Sequence, residues 1–240
     1  MALITTKAIV LSSLKYGDTS LIVRCFTLKE GLKSYLIKGV LSAKKGKIKA
    51  AYFQPLTQLK IEANHNNKGA LNSIKEVHVI NPYQHIYTNI FKQTIVLFLS
   101  EILSSTIQEE EENEALFSYI EASFGWLDTH NKTSNFHLLF LLNLSKYLGF
   151  YPDTSKVESP YFNLINGSFT LTSIDKETIS GEELFQFKKL LGTNFDSIDS
   201  IKFNKKERQQ VLRIIIRYFE LHLEGFRSPK SLGVLETVFS

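Results

Sequence analysis

Six lysines and no acidic residue lie between positions 33 and 49 of the chain. Ammonium groups at this density attract polyanions through Coulomb forces, and a nucleic acid that binds them releases its condensed counterions. The chemistry expected of this lysine stretch is therefore contact with phosphate groups. The alternative is a solvated loop that serves only solubility, as many runs of like charge do. The candidate phosphate-binding residues are Lys33, Lys38, Lys44, Lys45, Lys47 and Lys49.

Three aromatic residues accompany these lysines. Tyr35 lies within the stretch, and Tyr52 and Phe53 follow it. Rings that stack on unpaired bases, beside lysines that follow the phosphates, are the combination found in proteins that bind single strands. For each ring the alternative is packing in a hydrophobic core. Tyr35, Tyr52 and Phe53 are thus the candidate base-stacking residues.

The charge of the chain is unevenly distributed. The net charge is +4 for the whole chain. Residues 1–80 contain 13 Lys and Arg and 4 Asp and Glu, which gives +9. Residues 81–240 contain 15 Lys and Arg and 20 Asp and Glu, which gives −5. The basic part favours nucleic acid or an acidic surface as its partner. The acidic remainder is more typical of a scaffold or of a protein-contact module.

The composition is that of a globular protein. With 240 residues, 43% hydrophobic and 22% charged, the chain can bury a substantial core in one large domain or two smaller ones. The first residues show no charged segment before an apolar run, so we expect no signal peptide and a cytoplasmic location. The single cysteine, Cys25, lies in an alternating apolar run and is expected in the core rather than as a reactive thiol.

The elements that must position the lysines are predicted strands. Short apolar or alternating runs separated by turn signals indicate five of them in the basic part. Five strands of this size match a small Greek-key barrel of the OB type, in which a long loop or helix often follows the third strand. The lysine stretch occupies that position. The predicted strands are residues 6–13, 19–27, 31–38, 56–63 and 71–79.

After Asn81 and Pro82 the pattern becomes helical, which predicts an all-α domain at 81–240 behind the OB domain at 1–80. Within it, prolines and an Asn-Gly pair at 151–173 indicate a loop that closes into a small β-hairpin. The predicted fold class is therefore α+β. The predicted helices are residues 88–107, 113–127, 134–149, 180–191 and 205–224, followed by a short terminal helix.

Several helix ends carry signals. Ser134 is a plausible N-cap with Gly149 in the C′ position of the same helix, and Ser180 with Glu183 resembles a capping box.

The last long helix carries Arg213 and Arg217 one turn apart. One interpretation is a solvated face on which Arg217 pairs with Glu220. The other is a basic edge beside an apolar groove, suited to an acidic peptide that ends in a hydrophobic residue. Arg213 and Arg217, together with Lys146 on the preceding central helix, are the candidate partner-binding residues.

Motifs for catalysis are absent from the sequence. There is no Walker loop, dinucleotide fingerprint, nucleophile elbow, His-Glu-x-x-His or Cys-x-x-Cys. A nuclease needs clustered carboxylates to hold metal ions, whereas the four acidic residues of the basic part are dispersed. We therefore predict no enzyme, no catalytic residue and no metal site. A metal-dependent nuclease, and a non-catalytic OB-fold adaptor that binds RNA or an acidic protein partner, are the alternatives.

A series of motifs runs through the chain in order: residues 16–23 (YGDTSLIV), 26–31 (FTLKEG), 37–40 (IKGV), 41–49 (LSAKKGKIK) and 54–57 (QPLT), then 147–150 (YLGF) and 226–232 (FRSPKSL). Together they resemble the RecO family of bacterial DNA repair and recombination mediators, over essentially the whole chain. The resemblance implies an OB-fold domain followed by an α-helical domain, without catalytic turnover.

The resemblance also implies a function. The family binds single- and double-stranded DNA, anneals complementary strands, and acts with RecR and RecF to load RecA onto DNA coated by single-stranded-DNA-binding protein. In the family, lysines at the end of the third strand and in the following loop contact DNA, and Lys33 and Lys38 are the matching positions here. A bacterial, nucleoid-associated location follows from the same resemblance.

Two further features of the family concern the helical domain. That domain binds the acidic, hydrophobic C-terminal tail of single-stranded-DNA-binding protein. Some members also hold zinc with four cysteines in the middle of the domain, where this chain has no cysteine in residues 151–173. We therefore expect no cofactor and no zinc, and expect Tyr161, Phe162 and Phe169 to pack the hairpin instead.

Overall fold

The computed structural model describes residues 2–42, 48–65, 71–173 and 175–239. The chain divides into two compact units, Met1–Thr129 and His130–Ser240. The described residues of the first unit form five strands and two α-helices, β1 (Ala2–Tyr16), β2 (Ser20–Thr27), β3 (Gly31–Ile37), β4 (Gln58–His65), β5 (Ser73–Val79), α1 (Ile90–Thr106) and α2 (Glu114–Thr129). The second contains β6 (Tyr161–Asn163), β7 (Ser168–Thr170), β8 (Thr178–Ser180), α3 (Phe136–Tyr147), α4 (Gly181–Lys188), α5 (Lys205–His222) and α6 (Leu232–Val238).

The strands of the first unit form an antiparallel sheet in the order β3-β2-β1-β4-β5. Tyr35 of β3 and Asn72, the residue just before β5, form a parallel bridge between the two edges of this order. The Leu36 N–H donates to Asn72 O, and the Asn72 N–H donates to Ser34 O, both at 2.9 Å. The sheet is thereby closed into a five-stranded barrel with the connectivity of an OB fold, which confirms the predicted fold class.

Alternation along the strands builds the core of the barrel. Val23, Cys25 and Tyr35 on β2 and β3 point inward with Ile61 of β4, and all are essentially inaccessible to solvent. Burial raises the pKa of the Cys25 thiol to about 12. The cysteine is therefore a neutral core residue, as its place in the alternating run indicates.

The two helices of the first unit pack against the barrel. Phe26 of β2 lies 5.7 Å from Phe117 of α2, measured between ring centroids. The Asn89 side chain caps α1 by accepting from the N–H groups of Phe91 and Lys92. The boundary that we predict between residues 80 and 81 separates the last strand from α1, but both helices share one compact unit with the barrel.

The second unit is built around α3, which is buried on most sides, as expected of a central helix. Burial, with Arg208 nearby, lowers the pKa of His137 on this helix to about 3, so that its ring is a neutral core group. Gly149 has a φ of +84° just after the helix, which confirms its C′ position. None of the helices formed by the described residues combines the length and hydrophobicity needed to cross a bilayer.

The predicted hairpin at 151–173 is present as β6 and β7, but β8 adds a third strand beside β6 that the sequence did not indicate. Phe162 and Phe169 are buried with their ring centroids 4.8 Å apart, and Phe162 also lies 5.2 Å from Phe187 of α4. Aromatic packing therefore holds this small sheet together. Its residues offer neither cysteine nor histidine, a donor set that does not fit zinc.

Candidate nucleic-acid interface

Lys38 and Lys49 of the lysine stretch are described at the end of β3 and before β4. Lys38 is exposed directly after β3, where Gly39 with a φ of +68° turns the chain. Lys49 is exposed just before a short 3-10 helix, Ala50–Phe53, which leads to β4. Lys44, Lys45 and Lys47 lie outside the described residues. The part of the stretch from Lys38 to Lys49 therefore lies between β3 and β4, as predicted.

A groove of about 580 Å³ lies between the end of β3 and the start of β5. Lys38 and Lys75 stand in its walls, and Lys75 also pairs with Glu62 at 2.8 Å. The groove therefore combines cations with apolar surface, as a site for a nucleic-acid strand does. Its lining comprises Leu36, Ile37, Lys38, Gly39, Val40, Ile48, Leu71, Asn72, Ser73, Ile74 and Lys75.

Lys33 lies apart from this groove, at the opposite end of β3. Its Nζ is 2.7 Å from Glu110 Oε2, and its side chain is only 14% exposed. The Lys33 ammonium is thus already neutralised by a carboxylate of the same compact unit. In this conformation Lys38 is the accessible member of the pair that the family resemblance singles out.

Glu110 belongs to an acidic strap, defined here as Glu109, Glu110 and Glu111, which crosses the β2–β3 turn. The Leu32 N–H donates to Glu109 O at 2.9 Å. Gly31 has a φ of +60°, and a Cβ atom at this position would lie 2.6 Å from Glu109 O and from Glu111 N. Glycine is thus required both for the turn and for the close approach of the strap.

Two of the three aromatic candidates are core residues, so neither of their rings can stack on a base in this structure. Tyr35 is fully buried, and its hydroxyl lies 2.9 Å from His65 Nε2. Phe53 is also buried in the barrel core, and Tyr52 packs partly buried against the same core. The alternative of core packing is correct for Tyr35 and Phe53 because β3 and the 3-10 helix turn these rings inward.

The structure reveals an exposed patch that the sequence prediction missed. The outer-face patch, defined as Leu14, Tyr16, Ile22 and Leu36, lies on the outside of β1, β2 and β3. Leu14 is 64% and Tyr16 55% exposed. The prediction ended β1 at Ser13, whereas the strand continues to Tyr16. The alternation Leu14-Lys15-Tyr16 was the available signal.

The partner-binding candidates are only partly brought together. Arg213 and Arg217 line a groove of about 370 Å³ on α5, together with Leu164 and Ile214. Lys146 does not contribute to it, because its ammonium lies 4.5 Å from the ring centroid of Tyr151. The groove has the basic and apolar character that the sequence predicts for an acidic peptide.

Both arginines of this groove already contact carboxylates. Arg217 binds Glu177 with two nitrogens, at 2.7 and 3.0 Å, and Glu220 at 3.1 Å. Arg213 makes only the longer contacts of 3.2 and 3.3 Å with one oxygen of Glu236 on α6. An incoming carboxylate would therefore displace Glu236 from Arg213 more easily than it would displace the partners of Arg217.

Across the residues that the structure describes, no three His, Cys, Asp or Glu side chains are close enough to hold a metal ion. The absence of a cofactor remains a prediction.

Comparison with known proteins follows the same division of the chain. The model of the recombination protein O N-terminal domain matches residues 1–83, and that of the recombination protein O C-terminal domain matches residues 87–232. This chain belongs to the RecO family. The two matches meet in the segment between β5 and α1.

Relatives of known name agree over nearly the full length. A protein of Flavobacterium johnsoniae named DNA repair protein RecO is 51% identical, with 99% of each chain covered. One of Christiangramia forsetii with the same name is 49% identical over 99% of each chain. A third, from Bacteroides fragilis, is 38% identical over 98% of each. The general role of the RecO family in DNA repair therefore extends to this chain.

Proposed function

We propose that this chain is a non-catalytic recombination mediator of the bacterial cytoplasm, associated with the nucleoid. It binds single- and double-stranded DNA, anneals complementary strands and, with RecR and RecF, helps to load RecA onto DNA coated by single-stranded-DNA-binding protein. The observation that carries the proposal is the match of both RecO family models along one chain. The lysines at the barrel groove support the proposal that the chain binds DNA, because ammonium groups bind the phosphate backbone of DNA whatever its base sequence.

Annealing is the activity that tests this function. Complementary strands coated with the cognate single-stranded-DNA-binding protein should anneal faster in the presence of this protein. Removal of the acidic tail from the coating protein should abolish most of the acceleration, because recruitment through the helical unit is then lost. Annealing at the spontaneous rate with both forms of the coating protein would refute the proposal.

The lysine stretch should set the salt dependence of DNA binding. If about five phosphates are neutralised, log K for a single strand falls with log salt at a slope near −3.5. Replacing Lys44, Lys45, Lys47 and Lys49 with alanine should weaken binding and reduce the slope by up to about 2.8. Fluorescence anisotropy of a labelled oligonucleotide over a salt series measures both quantities.

A matched control separates local contact from net charge. Lys156, Lys176, Lys202 and Lys205 are exposed in the second unit, and their replacement with alanine removes the same charge. This control should keep the slope of the unaltered protein. Unchanged low-salt binding by the lysine-stretch variant would remove the stretch from the interface. If structured RNA competes better than single-stranded DNA, the adaptor function is favoured over the mediator.

The groove on α5 is the proposed site for the acidic tail of single-stranded-DNA-binding protein. Arg213→Ala should weaken binding of the isolated tail peptide about tenfold, since it removes a charge-assisted hydrogen bond. Glu236→Gln should strengthen binding by up to about fivefold, because an exposed ion pair that competes for Arg213 is worth at most about 1 kcal/mol. Isothermal titration with the peptide measures both changes.

Lys146→Ala provides the control for this groove, since Lys146 contacts Tyr151 outside it. Peptide affinity should stay within twofold in this variant. Loss of binding in Lys146→Ala but not in Arg213→Ala would move the tail site from α5 to the end of α3.

A further inference from the structure

The helices of the first unit pack against one end of the outer face of β1, β2 and β3 and leave its other end accessible to solvent. At the covered end, Phe26 packs on Phe117 of α2, and Arg24 Nη1 donates to Ser104 O and Oγ of α1 at 3.3 Å. At the other end, the outer-face patch has no such cover from the described residues. The helices of the first unit thus leave one half of this sheet face accessible.

The patch is a continuous row rather than a set of scattered residues. Leu14 pairs directly with Ile22 across β1 and β2, and Ile22 pairs with Leu36 across β2 and β3. Directly opposed side chains lie on the same face of a sheet and contact one another. Tyr16 is two residues beyond Leu14 and so projects from the same face. Leu14 and Tyr16 are exposed and Ile22 and Leu36 are partly buried, so the row offers contiguous accessible apolar surface with an aromatic ring at its end, as a binding surface does.

Positive charge adjoins the row. Leu36 also lines the 580 Å³ groove, whose walls carry Lys38 and Lys75. Lys15, between Leu14 and Tyr16 on β1, pairs with the inward-facing Leu21 and so projects from the other face, which leaves the lysines of the groove as the cations beside the row. A strand whose phosphates follow the lysines would therefore bring its bases against apolar side chains and the tyrosine ring.

We propose that the outer-face patch is a stacking platform for the unpaired bases of single-stranded DNA. The proposal rests on the DNA binding proposed above and assigns phosphate binding and base binding to different parts of the barrel. The lysine stretch binds phosphates of single strands and duplexes alike, whereas the patch binds only bases whose faces are free. The patch is then the origin of any preference for single strands.

The charge around the patch favours a nucleic acid over an apolar protein segment. A purely hydrophobic partner would gain nothing from Lys38 at the edge of the row, whereas a strand gains a phosphate contact from it. Every base also has a π-face, so one exposed ring such as Tyr16 serves strands of any sequence.

Tyr16→Ala provides the test in the full-length protein. Its affinity for a labelled single strand should fall about 5- to 150-fold, the range for loss of one base–aromatic stack. Affinity for a duplex of the same sequence should stay within twofold. The salt slope should not change, because no phosphate contact is lost. Tyr16→Phe keeps the ring and should retain the affinity of the unaltered protein.

An abasic single strand sharpens the test, since it presents phosphates without bases. The unaltered protein and Tyr16→Ala should bind it equally. Tyr147→Ala is the control for loss of an exposed tyrosine elsewhere, and it should bind every probe normally. Unfolding curves of the two Tyr16 variants should coincide with that of the unaltered protein because Tyr16 is largely exposed.

Equal losses on single strand, duplex and abasic strand would overturn the platform. Full single-strand affinity in Tyr16→Ala would also overturn it and leave the patch to a protein partner. In either case the lysine-stretch variant still tests DNA binding separately. Failure of the unaltered protein to bind DNA at low salt would refute the proposed function itself.

Discussion

Replacing Asp128 with alanine is expected to lower the free energy of unfolding of the first compact unit by about 3–5 kcal/mol. The buried carboxylate of Asp128 accepts hydrogen bonds from the main-chain N–H groups of Gln84, His85 and Ile86, each at 2.8 Å. Alanine would leave these three donors without their acceptor. It would also remove the negative charge near the buried Lys92, whose Nζ donates to Asp128 O at 2.7 Å.

The expected loss has a pH dependence. Burial by itself would raise the pKa of Asp128, but the three N–H donors and the Lys92 charge outweigh burial and lower it. A carboxyl group with a lowered folded pKa adds stability that is complete above its ordinary pKa, about 3.9, and is lost as pH falls through the folded pKa. The stability difference between the unaltered protein and Asp128→Asn should thus be constant above about pH 5 and shrink below about pH 4.

The single tryptophan, Trp126, lies on α2 in the same unit, so its fluorescence during urea unfolding reports the change directly. Asp18→Ala, which removes an exposed carboxylate of the β1–β2 turn, should change stability by less than about 0.5 kcal/mol. An Asp128→Ala loss no larger than that of this control would show that the 84–86 turn does not depend on the carboxylate.

Replacing Gly31 with alanine is expected to destabilise the same unit by about 2–5 kcal/mol. Part of the loss, about 1–2 kcal/mol, comes from placing an L side chain at a φ of +60°. The remainder comes from the steric overlap of the new Cβ with the main chain of the acidic strap. Relief of the overlap would move the strap and strain the bond from Leu32 N–H to Glu109 O.

Gly17→Ala isolates the steric part of this loss. Gly17 has the same φ of +60° in the β1–β2 turn, but a Cβ atom there would meet no atom of the described residues within 4 Å. Its replacement should cost only about 1–2 kcal/mol. Urea unfolding followed by Trp126 fluorescence compares the two variants. Equal losses of stability in Gly31→Ala and Gly17→Ala would mean that the acidic strap moves away from the new Cβ at no cost in free energy.

The sequence predicts the local elements of this fold well. All five strands of the barrel, and the position of the lysine stretch after the third, follow from alternation and turn residues, which act over a few positions. The strand predicted at 6–13 is longer in the structure, where β1 runs from Ala2 to Tyr16. In the structure a register shift between Val10 and Ser12 lets the strand continue to Tyr16.

Helix caps show where local signals fail. The Ser180 side chain makes no capping bond, so the predicted capping box is wrong. Glu183 instead accepts from Gln210 Nε2 of α5 at 2.8 Å. Asn135 rather than Ser134 is the N-cap of α3, and its side chain donates to Ile201 O. Tertiary partners in both cases replace the local bond that the sequence suggests.

The candidate interface depends even more on distant partners. Lys33 and Glu110 form an ion pair although they are far apart in the chain, and no sequence pattern around Lys33 predicts this pair. The neighbouring lysines suggest that Tyr35 stacks on bases, but on β3 its side chain points into the barrel, where its hydroxyl lies 2.9 Å from His65 Nε2. Charge density thus indicates a candidate region, whereas the choice between exposed and buried side chains depends on the closed barrel.

The parallel bridge between Tyr35 and Asn72 closes the barrel without involving the chain between β3 and β4. The closure entropy of a flexible connection rises only with the logarithm of its length, so a doubling costs about 0.6 kcal/mol. Replacement of Lys44, Lys45 or Lys47, or an insertion beside them, should therefore be tolerated by the barrel. The salt sensitivity of DNA binding can then be engineered, or can evolve, independently of the stability of the domain that presents it.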